Sequence, residues 1–418
     1  MRKRQESSEK RTSGTRMSYR ESTERLKQYA GIAAGSLGLT GGRAPAGPLH
    51  AQIGICDHCN HRCVMCWDHP PEERHSEATA ERFGFQPQEL MSLATFQSIV
   101  DDLHRLGTRR VDLVGRGEPL LNPAVVDIVA HAKERGMLLV LCTNASKLSS
   151  AFSDRFVALG LDRLNVSLNA GTPETYPRIH VTETPENYLR VKKNLSYLAN
   201  ARTAAGSASP HIRLSFVIGS KNYFEIEAMV RVVEEIGADE AMFVHTVIHE
   251  GTRDLALSQD QYQELLASIS RAKATAAALG VATNLATFAA IVPTYLKENM
   301  KGPPVVPCYV GWYFTNVLAN GSVMPCCQCA QPIDRVSEDR SFGQIWASPD
   351  YQEFRQAAKR LPVASERLSS CECDRCMMRP RNISVHNLLH PLHRIEGGDD
   401  EQLFTVRDLL RLKKVDRS

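Results

Sequence analysis

The sequence predicts an α/β fold, a partial (β/α)6 TIM-like barrel followed by a small cysteine-rich domain built on a β-hairpin and a helix. Three observations predict it. Between residues 93 and 247, segments of helical periodicity alternate with short apolar runs of strand character, the order that parallel βα units produce. A strand-like run, His50 to Ile55, leads into Cys59, Cys63 and Cys66 in C-x3-C-x2-C spacing. A second set of cysteines opens at Cys308 and surrounds a hairpin signal, Asn320-Gly321.

Composition narrows the classes. With 418 residues and 43% hydrophobic content there is material for one large domain or two ordinary ones. A net charge of +3 gives no sign of a nucleic-acid partner. No apolar run approaches the ~18 residues of a membrane span, and the N-terminus lacks the apolar core of a secretory signal. A cytoplasmic location without a membrane partner is therefore expected. Twelve cysteines in a reducing compartment are expected to ligate metal or do redox chemistry rather than form disulfides.

Taken in order, residues 1–48 comprise a charged, Ser-rich tail to about residue 20, an amphipathic helix from Glu21 to Leu37, and a Gly/Pro linker. The tail is expected to be disordered, and Met17 is a candidate natural start. The barrel occupies 49–255. After the cysteine loop, Asp68 to Pro87 reads as a polar, Pro-rich covering loop. Helices at Leu93–Leu106, Ala124–Arg135, Ala151–Leu159, Pro185–Ala201 and Phe224–Ile236 then lead into strands at Arg110–Val114, Leu138–Cys142, Arg163–Leu168, His211–Ile218 and Glu240–Val247. A helical connector spans 256–302, with Thr287–Lys297 ambiguous. The cysteine-rich domain follows at 303–385 and a tail at 386–418.

The first three cysteines can hold three irons of a [4Fe–4S] cube and leave the fourth open to a substrate or cofactor. The same thiols with His58, His61 or His69 would also satisfy zinc. Cys56 reads as a small buried thiol ending the first strand. Barrel active sites lie at the C-terminal ends of strands. The candidates there are Gly115, Gly117, Glu118 and Pro119, for which a simple turn is the plainer role, then Thr143 and Asn144, then Ser167 and Asn169, for which helix capping is. Arg178 and Arg213 are candidates to pair a cofactor carboxylate or an acidic substrate. In the second set, Cys308 and Cys326 flank the hairpin and Cys373 and Cys376 form a C-x2-C pair, a closed four-cysteine site for a cube or for zinc. Cys327, Cys329 and Cys371 have no assigned place. His386, His390 and His393, at helical spacing, read as one helix face.

The cysteine loop together with the Gly-Glu-Pro turn at 117–119 resembles the radical S-adenosylmethionine (SAM) enzymes. That resemblance implies a catalytic [4Fe–4S] cluster on Cys59, Cys63 and Cys66, with SAM chelating the unique iron and cleaved by one electron to a 5′-deoxyadenosyl radical. It implies cofactor contacts from Trp67, Gly115, Gly117, Glu118, Pro119, Thr143, Asn144, Ser167 and Asn169. CYVGWYFTNVLANGSVMPCCQC, with Gly321 and Cys326 in G-x4-C spacing, and IWASPDYQEFR are similar to the short Twitch form of the SPASM domain. This implies one auxiliary [4Fe–4S] cluster on Cys308, Cys326, Cys373 and Cys376. The resemblance covers roughly residues 50–380. The reaction it implies begins with hydrogen-atom abstraction and passes an electron to the auxiliary cluster, a net oxidation of a small natural-product or sugar-like intermediate. Ribosomal-peptide maturation is an alternative, as is epimerisation with Cys142 or Cys329 returning a hydrogen atom. The first 50 residues are too few and too polar for a leader-binding domain. An external electron donor such as flavodoxin or ferredoxin is implied. A zinc-stabilised binding module is the non-enzyme alternative.

Overall fold

The computed structural model describes residues 19–71, 89–248, 250–298, 304–363 and 365–395. The expectations for the basic tail, for Met17, for most of the Pro-rich loop and for the chain beyond 395 fall outside these residues.

Six parallel strands form the barrel wall: β1 (His50–Ile53), β2 (Arg110–Leu113), β3 (Leu138–Thr143), β4 (Arg163–Ser167), β5 (His211–Ile218) and β6 (Glu240–His245). The helices between them are α2 (Leu93–Arg105), α3 (Val125–Glu134), α4 (Ser150–Ala158), the short α5 (Tyr176–Ile179), α6 (Pro185–Ala204) and α7 (Ile226–Ile236). α1 (Tyr19–Leu37) precedes them; α8 (Gln259–Leu279), the two-residue β7 (Ala282–Thr283) and α9 (Leu285–Glu298) follow. The ambiguous stretch is thus helical.

Helix ends follow local chemistry. Ser92, Ser149 and Thr184 each accept a backbone N–H at an N-terminus, and Ser258 forms a capping box with Gln261. Gly237 and Gly280, at φ of 77° and 70°, close α7 and α8 in the left-handed conformation that a Cβ disfavours.

β5 shows what the alternation achieves. Ile212, Leu214, Phe216 and Ile218 are buried, whereas His211, Arg213, Ser215 and Val217 on the other face are only partly so. The apolar face joins one core with the helices; Ile226, Met229, Val230 and Val233 of α7 belong to it. With right-handed crossovers the helices lie outside, so the polar faces line the barrel lumen.

The C-terminal region contains α10 (Val310–Tyr313), β8 (Phe314–Val317), β9 (Ser322–Met324), β10 (Asp334–Arg335), α11 (Phe342–Trp346), α12 (Pro349–Lys359) and α13 (Arg379–Leu389). The β8–β9 hairpin forms as its turn predicts. Its strands join the barrel sheet: β8 pairs in parallel with β1, His50 opposite Phe314 through Ile53 opposite Val317, so the order is β10-β9-β8-β1-β2-β3-β4-β5-β6-β7. α1 packs on the same region, where a Cβ on Gly35 would lie 2.3 Å from the Trp312 indole. Arg355, fully buried between Trp346 and Tyr351 at 4.4 and 4.2 Å, donates to the Gly311 and Trp346 carbonyls at 2.7 and 2.9 Å.

Candidate functional site

The cysteine loop is held from two sides by backbone hydrogen bonds. On one side, the Gly117 and Glu118 N–H groups donate to the carbonyls of Cys56 and His58 at 3.1 and 2.8 Å. This pairing needs glycine, because a Cβ on Gly117 would stand 2.1 Å from the His58 oxygen. On the other, Val64 N–H donates to Ile179 O at 3.0 Å and Val181 N–H to Arg62 O at 2.9 Å, seating the loop on α5.

The three thiols electrostatically sense one another, and burial raises them all: Cys59 to about 11, Cys66 to about 12 and Cys63 well above the ordinary thiol value. The N–H groups of His61 and His69 point at the sulfurs of Cys59 and Cys66, at 3.5 and 3.2 Å. Buried thiols that ionise only at a cost, with N–H donors aimed at their sulfurs, suit a metal that displaces their protons and keeps thiolate charge. The residues fit an iron–sulfur cluster with an open corner.

For the zinc alternative, His69 is engaged, its Nε2 2.8 Å from Asp57 O. Among the described residues, His61, Cys63 and His180 place ligand atoms within 4.8 Å of one another, compact enough for one ion. That trio leaves Cys59 and Cys66 without a role. Burial lowers both histidines, His61 to about 3 and His180 to about 4.

Glu118 is fully buried, and its carboxylate faces protein: it accepts from Thr143 Oγ1 at 2.6 Å, Asn144 N at 2.7 Å and Leu120 N at 3.0 Å. The side chain thus locks the β3 turn to the Gly-Glu-Pro turn, with Pro119 buried in the 3-10 turn that follows. Thr143 is spent likewise, donating to Glu118 and accepting from Ala145 N at 2.9 Å. Asn144 bonds Asn60 at 3.1 Å and accepts from Ser146, whose Oγ accepts from Asn60 at 2.8 Å. Asn60, Ser146 and His180, 3.0 Å from Cys63 Sγ through Nδ1, were not picked out by the sequence reading. Asn60 lies between two of the cysteines, a positional hint; the other two had none.

Asn169, at φ 58°, accepts from Val217 N through Oδ1 at 2.9 Å, tying β4 to β5. Ser167 is exposed at the end of β4, Gly115 sits against Gly54, and Trp67 is half-buried after the third cysteine. Arg178 is exposed, whereas Arg213 pairs with Glu240 at 2.8 Å inside the barrel. Cys142 lies on the lumen face of β3, 3.6 Å from Asn165 Nδ2, and burial raises it to about 12, so its proton is retained.

In the C-terminal region, Cys308, Cys326, Cys373 and Cys376 line one small cavity, together with Cys329 and Cys371. Burial raises Cys308 to about 12 and Cys373 to about 11. Cys329 and Cys371 face each other in an antiparallel bridge and form a disulfide. This corrects, for two of the cysteines, the expectation that they do not form disulfides, and a disulfide-bonded Cys329 has no S–H hydrogen to return. Cys327 keeps a free thiol beside Cys326. His386 meets Tyr309 Oη at 3.0 Å and its ring is tilted against that of His390 at 4.6 Å; α13 ends at Leu389, so His390 and His393 stand beyond the helix and the three do not share the one helix face that their spacing predicts.

Residues 53–197 match the Radical SAM superfamily and residues 308–377 match SPASM, an iron-sulfur cluster-binding domain. PqqA peptide cyclase of Xanthomonas campestris pv. campestris is 26% identical over 266 residues, 62% of this chain and 66% of its own length, so the match spans just under two thirds of that relative. PqqA peptide cyclase of Gluconobacter oxydans is 25% identical over 322 residues, 74% and 80% of the two chains. Among solved structures, Streptococcus suis SuiB bound to S-adenosylmethionine aligns at TM-score 0.56 and 14% identity, covering 79% of this chain and 72% of SuiB. SuiB bound to the precursor peptide SuiA aligns at 0.54 and 14%, with coverage of 81% and 73%. At these identities the structural likeness establishes the fold.

Proposed function

Because the chain is a radical SAM protein with a C-terminal SPASM domain, we propose that it is a radical SAM enzyme that modifies a peptide. The radical SAM domain implies a [4Fe–4S] cluster and SAM, and the SPASM domain implies auxiliary iron–sulfur chemistry. Held by Cys59, Cys63 and Cys66, a [4Fe–4S] cluster with SAM would supply one-electron, radical-forming chemistry to the barrel.

The chain's own residues prepare that chemistry. Cys59, Cys63 and Cys66 are the proposed ligands of the catalytic cluster; Cys308, Cys326, Cys373 and Cys376 are those of an auxiliary one. Gly117 lets the loop meet the second strand, and Glu118 fixes the third-strand turn beside it. The lumen would then hold a substrate C–H bond near the radical carbon, where proximity supplies much of the rate. The observation that carries the reading is the cysteine loop's double clamp at the C-terminal ends of the strands, which supports a three-thiol site where barrel active sites lie.

Peptide-modifying relatives favour a peptide substrate over the sugar-like intermediate that the sequence first suggests. An external one-electron donor belongs to the proposal. Anaerobically reconstituted protein and its Cys59→Ala/Cys63→Ala/Cys66→Ala variant provide the test, by iron content and by mass spectrometry of a short peptide encoded beside the gene. We expect about eight irons falling to about four, with modification of the peptide lost in the variant. A colourless, zinc-loaded protein overturns the radical reading; iron-loaded protein that cleaves SAM without changing the peptide overturns the proposed substrate.

A further inference from the structure

A fully buried cation in the C-terminal region stands without an anion. Arg355 has no exposed surface, and its guanidinium lies between the rings of Trp346 and Tyr351. Nε and Nη2 donate to the Gly311 and Trp346 carbonyls, whereas Nη1 is buried with no hydrogen-bond partner. Among the described residues no carboxylate pairs with it. Burial lowers the group to about 10, so it stays charged at neutral pH. Carbonyls and ring faces offer only partial charges. A full positive charge in a dry interior is costly unless a full negative one answers it.

The auxiliary site can supply that charge. Three positions beyond Arg355 on α12, Ala358 O accepts the Cys308 N–H at 3.0 Å. Phe354 and Ala358 line the cavity together with Cys308, Cys326, Cys373 and Cys376, and so does Val310, next to Gly311. Tyr351 stands between the two: burial raises its hydroxyl to about 12, with Arg355 pulling it down and Cys326 pushing it up. Burial keeps Cys308, Cys373 and Cys376 protonated and neutral. A cube held by four thiolates is instead doubly negative when oxidised and triply negative once it has accepted an electron.

Other charges approach the cavity less closely bound to its interior. Asp374, beside Cys373, is exposed to screening water, and Glu372 and Arg381 are only partly buried and carry other contacts.

We propose that Arg355 is the counter-ion of the auxiliary [4Fe–4S] cluster, stabilising the loaded site and, by favouring the more negative reduced state, raising its reduction potential. This inference rests on the auxiliary-cluster assignment above.

The test uses the Cys59→Ala/Cys63→Ala/Cys66→Ala protein as parent, reconstituted with iron and sulfide so that only the auxiliary cluster remains, in a redox titration followed by electron paramagnetic resonance. Arg355→Lys keeps the charge, Arg355→Gln and Arg355→Met remove it, and Arg360→Gln removes an exposed charge from the end of the same helix. The two neutral variants at 355 are expected to lower the midpoint potential by about 59 mV or more, a tenfold change for a one-electron couple, with Arg355→Lys and Arg360→Gln moving it far less. Iron loading should also raise the urea midpoint less in the neutral variants than in the parent. An unmoved potential in neutral variants that keep their iron overturns the proposal, as does an equal shift in Arg355→Lys. If neither neutral variant keeps its iron, retention by Arg355→Lys upholds the role of charge, and loss from all three assigns Arg355 to packing alone. A parent that binds no iron at this site overturns the auxiliary-cluster assignment, and the proposal with it.

Discussion

Gly117 is where the site is least tolerant of a change in volume. Its hypothetical Cβ meets a backbone oxygen, which cannot swing aside as a side chain would. Gly117→Ala is expected to cost roughly 2–3 kcal/mol, visible as a lower urea midpoint, and to reduce iron retention by parting the loop from the second strand. A mild variant that keeps its iron would show that the pairing can shift. At this scale the three cysteines were legible because their chemistry depends on spacing along the chain. Asn60, Ser146 and His180 were not, because their contacts join positions 86 and 117 residues apart, which no local pattern encodes. Glu118 was legible as part of a turn but not as an inward-facing clamp; sequence marks a turn and leaves the direction of its side chain open.

Strands and helices were read well where periodicity was strong and poorly where geometry overrode it. β5 alternates without interruption and was placed at its observed ends, His211 to Ile218. In the C-terminal hairpin, pairing with β1 begins at Phe314 and the residues before it curl into α10. α5 is a single short helical segment within a loop, too brief to leave a period. At the far edge, β7 pairs only two residues with β6, and a side chain takes over: Asn284 accepts the Phe243 N–H and donates to the Phe243 carbonyl, both at 2.8 Å. Asn284→Ala should strip both bonds and destabilise the end of β6 by about 1–3 kcal/mol. Hydrogen exchange at Phe243 would report it; unchanged protection there would mean that water or another group substitutes.

Across the whole molecule, the buried ionic lumen couples stability to pH. Burial pushes the Glu240 carboxyl up, but hydrogen bonds from His211 and Arg213 outweigh it and hold the group at about 2, below the usual 4.5. A depressed carboxyl contributes stability above its unfolded value and loses it as pH falls toward its folded value. The wild type should thus lose more stability than Glu240→Gln between about pH 4.5 and about pH 2, so that the gap between their urea midpoints narrows on acidification. A gap that stays constant would mean that the carboxylate's charge adds nothing. No sequence pattern announced this network, since it depends on which face of each strand turns inward and on α13 reaching across to His50.

The parallel pairing of β8 with β1 bears on how the chain can be divided. Were the polypeptide cut after the barrel, β1 would become an outer strand with a row of bare amide and carbonyl groups along Ala51, Ile53 and their neighbours, a ready template for intermolecular stacking. The cysteine-rich segment therefore serves as a covering strand as well as a cluster holder. A shortened barrel would be threatened by self-association before any loss of redox chemistry could be felt.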